Sequence, residues 1–249
     1  MKRVVVISDL HSGNRVGLTP PNWQTTNLQA EMWECYSEWA EELSPADALV
    51  INGDAIDGKG QLQGGIDLIT SDREIQCQMA KEAIDKIDAR TKHVVFGTRY
   101  HTGKGENWEK VLAGMIGADS AGGRLFLEVN GLNFDFKHFI GGSSVPYGRF
   151  TAVAKDKLWN TLWAQKDMQP DADVIIRSHV HYHIHCGTPE WLAIITPPLQ
   201  GLGSEYGERI PSGVADFGLI HFDIWSKEEW SWEAHTKRCA TQKAVVLSL

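Results

Sequence analysis

The chain is 249 residues long, 42% hydrophobic and 22% charged, an ordinary globular balance with enough apolar material for one large α/β domain. Its formal charge of −8 counts against a broad basic surface for gripping nucleic acid, because such binding rests on Lys and Arg neutralising phosphates. An anionic substrate stays open wherever bound metal ions supply the positive charge.

Met1-Lys2-Arg3 followed by Val4-Val5-Val6-Ile7 has the charged-then-apolar order of a signal peptide. Asp9 and His11 cut that run short and no small-residue cleavage site follows, so residues 3–8 predict a first strand buried on both faces. Leu28, Met32, Cys35, Tyr36, Trp39 and Leu43 recur at helical spacing up to Ser44-Pro45. Residues 48–51 predict a second strand. Ser71, with Glu74 three residues on, predicts a capping box opening a helix to about residue 89. Residues 93–96 then read as a third strand and 108–116 as a short helix. This alternation predicts a parallel sheet covered by helices. Farther on, the runs 125–129 and 132–138 flank Asn130-Gly131, a two-residue hairpin signal. A helix over 151–166 and apolar runs at 174–176, 191–196, 217–225 and 229–235 complete a strand-rich half. With no repeat or Pro-rich linker, residues 1–249 read as a single domain. Trp33, Trp39, Trp159 and Trp163 fall on helical segments and are expected in the core. No apolar run approaches the roughly 20 residues that cross a bilayer, so no membrane partner is expected. Four cysteines without CxxC spacing predict reduced thiols in a cytoplasmic protein. The oligomeric state is left open.

Residues of metal-ligand type fall just beyond the predicted strands. Asp9 and His11 follow the first, Asp54 and Asp57 the second, and Thr98, Arg99 and His101 the third. His138 ends a later strand, and His179 and His181 follow the run at 174–176. In open α/β sheets the ligand crevice lies outside the carboxyl ends of the strands. Residues two apart on an extended segment point the same way, so Asp9 with His11, and His179 with His181, can each reach one centre. Mixed carboxylate and imidazole ligation suits Fe, Mn, Zn or Ni better than Ca or Mg.

The ordered blocks Asp9-Leu10-His11, Gly53-Asp54-Ala55-Ile56-Asp57, Gly97-Thr98-Arg99-Tyr100-His101, His138 and Ser178-His179-Val180-His181 resemble the signature of the calcineurin-like metallophosphoesterases. That signature runs Asp-x-His, Gly-Asp-x-x-Asp, Gly-Asn-His, a lone His and Gly-His-x-His, and the match extends over residues 9–181. The variant third block, with Pro197-Pro198-Leu199-Gln200, is similar to a branch often carried by phages and prophages.

The resemblance implies an α/β fold, a four-layer α/β/β/α sandwich with two mixed sheets. It implies two divalent metal ions (Mn, Fe, Zn or Ni), one held by Asp9, His11, Asp54 and His181. The other would be held by Asp54, His138, His179 and a third-block group, Thr98, with Asp54 bridging the pair. The implied activity is hydrolysis of a phosphomonoester or phosphodiester by water activated between the ions. His101 would protonate the leaving oxygen, Asp57 would orient a histidine, and Arg99 would contact a phosphate oxygen. The third block departs from the signature, with Thr98 in place of Asn and Arg99 where His is expected. A hydroxyl is a poorer ligand than an amide carbonyl. Two alternatives follow: a nuclease of the same fold, and a non-catalytic binding scaffold that retains it.

Overall fold

Val4, Val5, Val6 and Ile7 are fully buried, as a β-branched run enclosed on both faces must be. They belong to β1 (Lys2–Ile7), the middle of a six-stranded sheet in the computed structural model, which describes residues 1–60, 64–203 and 216–239. β2 (Ala46–Asn52), β3 (Ala89–Val95) and β4 (Ser120–Gly122) continue it in parallel on one side. β10 (Phe217–Ile224) and β11 (Trp230–Lys237) add antiparallel strands on the other, in the order β11-β10-β1-β2-β3-β4. The second sheet has five strands. In it β5 (Leu125–Val129) pairs antiparallel with β6 (Leu132–Phe136), β6 pairs parallel with β7 (Val174–Arg177), and β7 pairs parallel with β9 (Trp191–Ile195). β8 (Ile184–Thr188) closes the edge antiparallel to β9.

The period of two along the strands sets the layers. Val5 and Ile7 of β1, with Leu49 and Ile51 of β2, pack outward against α1 (Asn27–Glu42), α2 (Arg73–Ile84) and α4 (Trp108–Met115). Val4, Val6 and Val50 face the second sheet and meet Phe134, Phe136, Val174 and Ile194. Ile175, Ala193 and Ile195 turn to the far side, where Val153 of α5 (Gly148–Ala164) covers them. Helices, sheet, sheet and helix make the expected four-layer α/β/β/α sandwich with two mixed sheets.

Several local expectations are met. Asn130 and Gly131 both take positive φ, 49° and 85°, as a two-residue hairpin turn of the mirror-image kind requires. α1 begins at a capping box between Thr26 and Gln29. Other expectations are corrected. The N-cap of α2 is Asp72, not Ser71; its carboxylate accepts from the Glu74 and Ile75 amides, and the helix ends at Ile84 because β3 already begins at Ala89. Trp33 and Trp39 pack against the helix-side core, but Trp159 and Trp163 are 52% and 42% exposed. They lie away from the inward face of α5, which Val153 and Asn160 define. All four cysteines are free. Among the described residues no helix is long and apolar enough to cross a membrane.

Candidate metal centre

The loops that leave β1, β2, β3, β6 and β7 at their carboxyl ends meet at one rim of the sandwich. Beyond β1 and β2 the backbones stay joined: Asp9 N donates to Gly53 O at 2.9 Å, His11 N to Asp54 O at 3.0 Å and Ser12 N to Ala55 O at 3.1 Å. Beneath the rim the Thr196 hydroxyl sits 2.7 Å from both the Ser8 and Ser178 hydroxyls, and Asn52 Nδ2 donates to Ser178 Oγ at 2.7 Å. These buried polar groups tie the two sheets together directly under the candidate ligands.

The ligand-bearing segments are not extended. Asp9, His11, Asp54, His179 and His181 all have positive φ, between 44° and 78°, a region that costs a residue with a side chain of order 1–3 kcal/mol. Asp9 and His11 do reach one centre as expected, but not by strand alternation. Left-handed turns aim them, and His179 and His181 turn to different groups. Two glycines make room: Gly53 has φ 87°, and a Cβ there would collide with the His138 ring. A Cβ at Gly97 would collide with the Asp54 carboxylate.

Three groups with ligand atoms lying within 4.8 Å of one another result: Asp9, His11 and His181; Asp54, His138 and His179; and His11, Asp54 and His101. They adjoin one another. His138 Nε2 contacts Asp54 Oδ2 at 2.8 Å and lies 4.0 Å from Asp9 Oδ1. His11 Nε2 faces His181 Nε2 at 3.1 Å, and His181 Nε2 comes within 3.3 Å of Asp9 Oδ1.

Hydrogen bonds on the outer nitrogens fix the ring orientations. His11 Nδ1 donates to Asp57 Oδ1 at 2.9 Å, and Asn14 Nδ2 holds the other Asp57 oxygen at 3.2 Å. His138 Nδ1 donates to Asn52 O at 2.7 Å and His101 Nδ1 to Asp57 O at 2.8 Å. The neutral His11 ring therefore turns an Nε2 lone pair inward, the tautomer a metal ligand needs, and His138 and His101 are held with Nε2 facing the same way. Asp9 Oδ1 and His179 Nδ1 are buried atoms with no hydrogen-bond partner, which is costly unless something else satisfies them. A divalent cation is a partner that both orphaned atoms and the inward lone pairs would accept. The residues present fit metal ions.

The buried carboxylates and histidines are strongly coupled through their charges. Burial would lift the Asp9 pKa, but His138 and His181 hold it at about 2. Burial would depress His138, but the Asp54 and Asp9 carboxylates push it up to about 10. Burial would lift the Asp54 pKa, but His138, His101 and His179 hold it well below the usual carboxylate range. Burial, with His101 and His181 nearby, keeps the His11 pKa below 6.5.

Each residue expected from the sequence can be placed. Asp9, His11, Asp54, His101, His138, His179 and His181 come together, and Asp57 supports both His11 and His101. Thr98 serves Asp54: its amide donates to Oδ1 at 2.7 Å, and its hydroxyl lies 3.2 and 3.4 Å from the two carboxylate oxygens. Arg99 starts α3 (Arg99–Thr102) with its side chain exposed and takes no part in the cluster. Sequence reading missed Glu109 of α4. This carboxylate is 1% exposed and accepts from Ala55 N at 2.8 Å and Gly97 N at 2.6 Å. It thereby clamps the Asp54 loop to the third block. Burial and the nearby Asp54 charge raise its pKa to about 7. No local signal marks it, because on a helix it reads as one more solvated glutamate.

Neither a family model nor a curated protein matches the sequence. Solved structures do. Vps29 from Entamoeba histolytica complexed with zinc is 14% identical over 94% of this chain and 98% of its own, with a TM-score of 0.47. A novel archaeal phosphodiesterase is 12% identical over 94% and 99%, with a TM-score of 0.46. A predicted phosphoesterase from Streptococcus pneumoniae is 11% identical over 94% and 98%, with a TM-score of 0.40.

Proposed function

We propose that the protein is a calcineurin-like phosphoesterase that hydrolyses a phosphomonoester or phosphodiester with the help of two divalent metal ions. One observation carries the reading: Asp9, His11 and His181 form one group against a second of Asp54, His138 and His179, and His11 and Asp54 meet with His101 in a third that links them. Mixed oxygen and nitrogen ligation favours Mn, Fe, Zn or Ni. Bound there, such ions polarise phosphoryl oxygens and make water nucleophilic near neutral pH.

The chain's own groups do the remaining work. Asp57 keeps the His11 ring turned so that Nε2 faces the site. Asp54, fastened by Thr98, His138 and the Glu109-clamped loops, is the group best placed to be shared. His101 holds its Nδ1 proton on the Asp57 carbonyl, so a proton carried on Nε2 is free for the leaving oxygen of the ester. His101 Nε2 lies 3.9 Å from Asp54 Oδ2, at the edge of the cluster.

Thr98 turning its hydroxyl to Asp54 favours a second reading, a scaffold that keeps the fold without turnover. Purified protein supplemented with Mn²⁺ and assayed on p-nitrophenyl phosphate, its bis-ester, phosphorylated small molecules and nucleic acids separates the two. Metal-dependent release abolished by Asp54→Asn is expected of the enzyme. No release on any member of the panel would leave the scaffold.

A further inference from the structure

A second set of metal-ligand side chains stands apart from the rim, on β10 and β11. His221 pairs directly with Glu233 across the two strands, and His235 is the diagonal neighbour two residues on. Side chains so related share one face of a sheet. His221 Nδ1 faces His235 Nε2 at 3.0 Å, and ligand atoms of His221, Glu233 and His235 all lie within 4.8 Å of one another. We propose that these three residues form a separate binding site for a divalent transition-metal ion of the zinc type, with its fourth position open to solvent.

The geometry suits that ion. Two Zn–N bonds of about 2.0–2.1 Å at a tetrahedral angle place the nitrogens about 3.3 Å apart, close to the distance observed before any ion enters. Two imidazoles and a carboxylate form a known three-ligand set for zinc. His221 Nε2 points toward the Asp223 carboxylate at 3.9 Å, and Asp223 is anchored by Arg3 through bonds of 2.7 and 2.8 Å. Trp39 of α1 packs beside His235, ring centroids 6.0 Å apart, shielding one side of the pair, while Glu233 is exposed and leaves an entry path.

The site is distinct from the rim. His221 pairs with Val5 inside β1, whereas the rim ligands begin beyond the end of that strand, and the two sets share no residue. An ion here would fasten β11, which lies at the edge of its sheet, to β10. The inference does not depend on the phosphoesterase reading.

The test is the number of zinc equivalents retained by the full chain after equilibration against a micromolar-affinity chelator, measured by elemental analysis. Glu233→Gln and His235→Asn are each expected to retain one equivalent fewer than the unsubstituted chain. An anomalous-difference map from zinc-soaked crystals is expected to carry a peak between the three side chains. Glu233 is exposed, so its substitution decides the matter even if the His235 variant folds poorly. Equal zinc content in the unsubstituted chain and Glu233→Gln, or a map with density only at the rim, would overturn the proposal.

Discussion

The Nε2 atoms of His11 and His181 face each other 3.1 Å apart although 170 residues separate them in the chain. Asp57 accepts a hydrogen bond from His11 Nδ1–H, so in the neutral ring the facing nitrogen is a lone pair. His181 reaches it only because the turn at positive φ swings its side chain over Asp9. The pair joins the loops that follow β1 and β7 at the rim, and the side chain behind it is the natural place to perturb it.

Asp57→Ala removes the acceptor that orients His11 without touching a candidate ligand. Metal affinity is expected to fall roughly 10–100-fold, the usual effect of deleting a carboxylate behind a ligating imidazole. A competition titration against a fluorescent chelator reads this directly. An unchanged affinity would remove Asp57 from that role.

His101→Ala distinguishes proton donation from general damage. Turnover on an alkyl phosphate is expected to drop by about 10²–10⁴. The drop on p-nitrophenyl phosphate should be much smaller, because that leaving group departs without a proton. Equal losses on both substrates would argue that His101 does not act as the acid.

Glu109→Gln tests the clamp between the second and third blocks. The carboxylate accepts from two main-chain amides, whereas a carboxamide offers one oxygen and one amino group. One buried N–H would then face another donor, at a cost of about 1–3 kcal/mol. Thermal melts should register that loss, together with weaker metal binding as the Asp54 loop relaxes. A variant with the original melting temperature would mean that the clamp contributes little.

The pH dependence of stability should carry a signature of Asp135. This carboxylate is fully buried between Arg124, bonded at 2.6 and 2.8 Å, and Arg177, bonded at 2.7 Å. Burial opposes ionisation, but the two guanidinium groups win and hold its pKa below 3.8. Below the unfolded-state value the unfolded chain binds the proton first, so stability falls as pH drops through the folded pKa and is fully present above about pH 4. Asp135→Asn should cost about 1–3 kcal/mol near neutrality by weakening the bonds to both guanidinium groups, although Arg177 keeps Asp156 at 2.6 Å. It should also melt with a shallower acid limb than the unsubstituted chain. Parallel acid limbs would show that Asp135 is not titrating there.

Much of this was legible before folding was considered. Strand periodicity from Val4 to Ile7, the Asn130-Gly131 turn and the helical spacing from Leu28 to Leu43 are local properties, set by side-chain shape and by which φ values a residue tolerates. The candidate ligands were legible for a related reason. A strand end is a short polar stop after an apolar run, so Asp9, Asp54, His138 and His179 announce themselves by position. The backbone course of those stops was not, because alternation describes an extended chain while Asp9, His11, Asp54, His179 and His181 are held at positive φ by bonds that exist only once the loops meet.

Tertiary structure alone decided the rest. Nothing near Glu109 in the sequence says that its helix will press it onto the amides of Ala55 and Gly97. The Ser8, Thr196, Ser178 and Asn52 network spans both sheets and has no sequence period. Thr98 was expected as a ligand from its place in the third block, yet its hydroxyl is turned to Asp54. The cross-strand pairing of His221 with Glu233 depends on the register of two antiparallel strands. Residue type and spacing determine what a side chain can do; which partner it meets is determined by contacts between segments far apart in the chain, and those energies appear only when the segments pack.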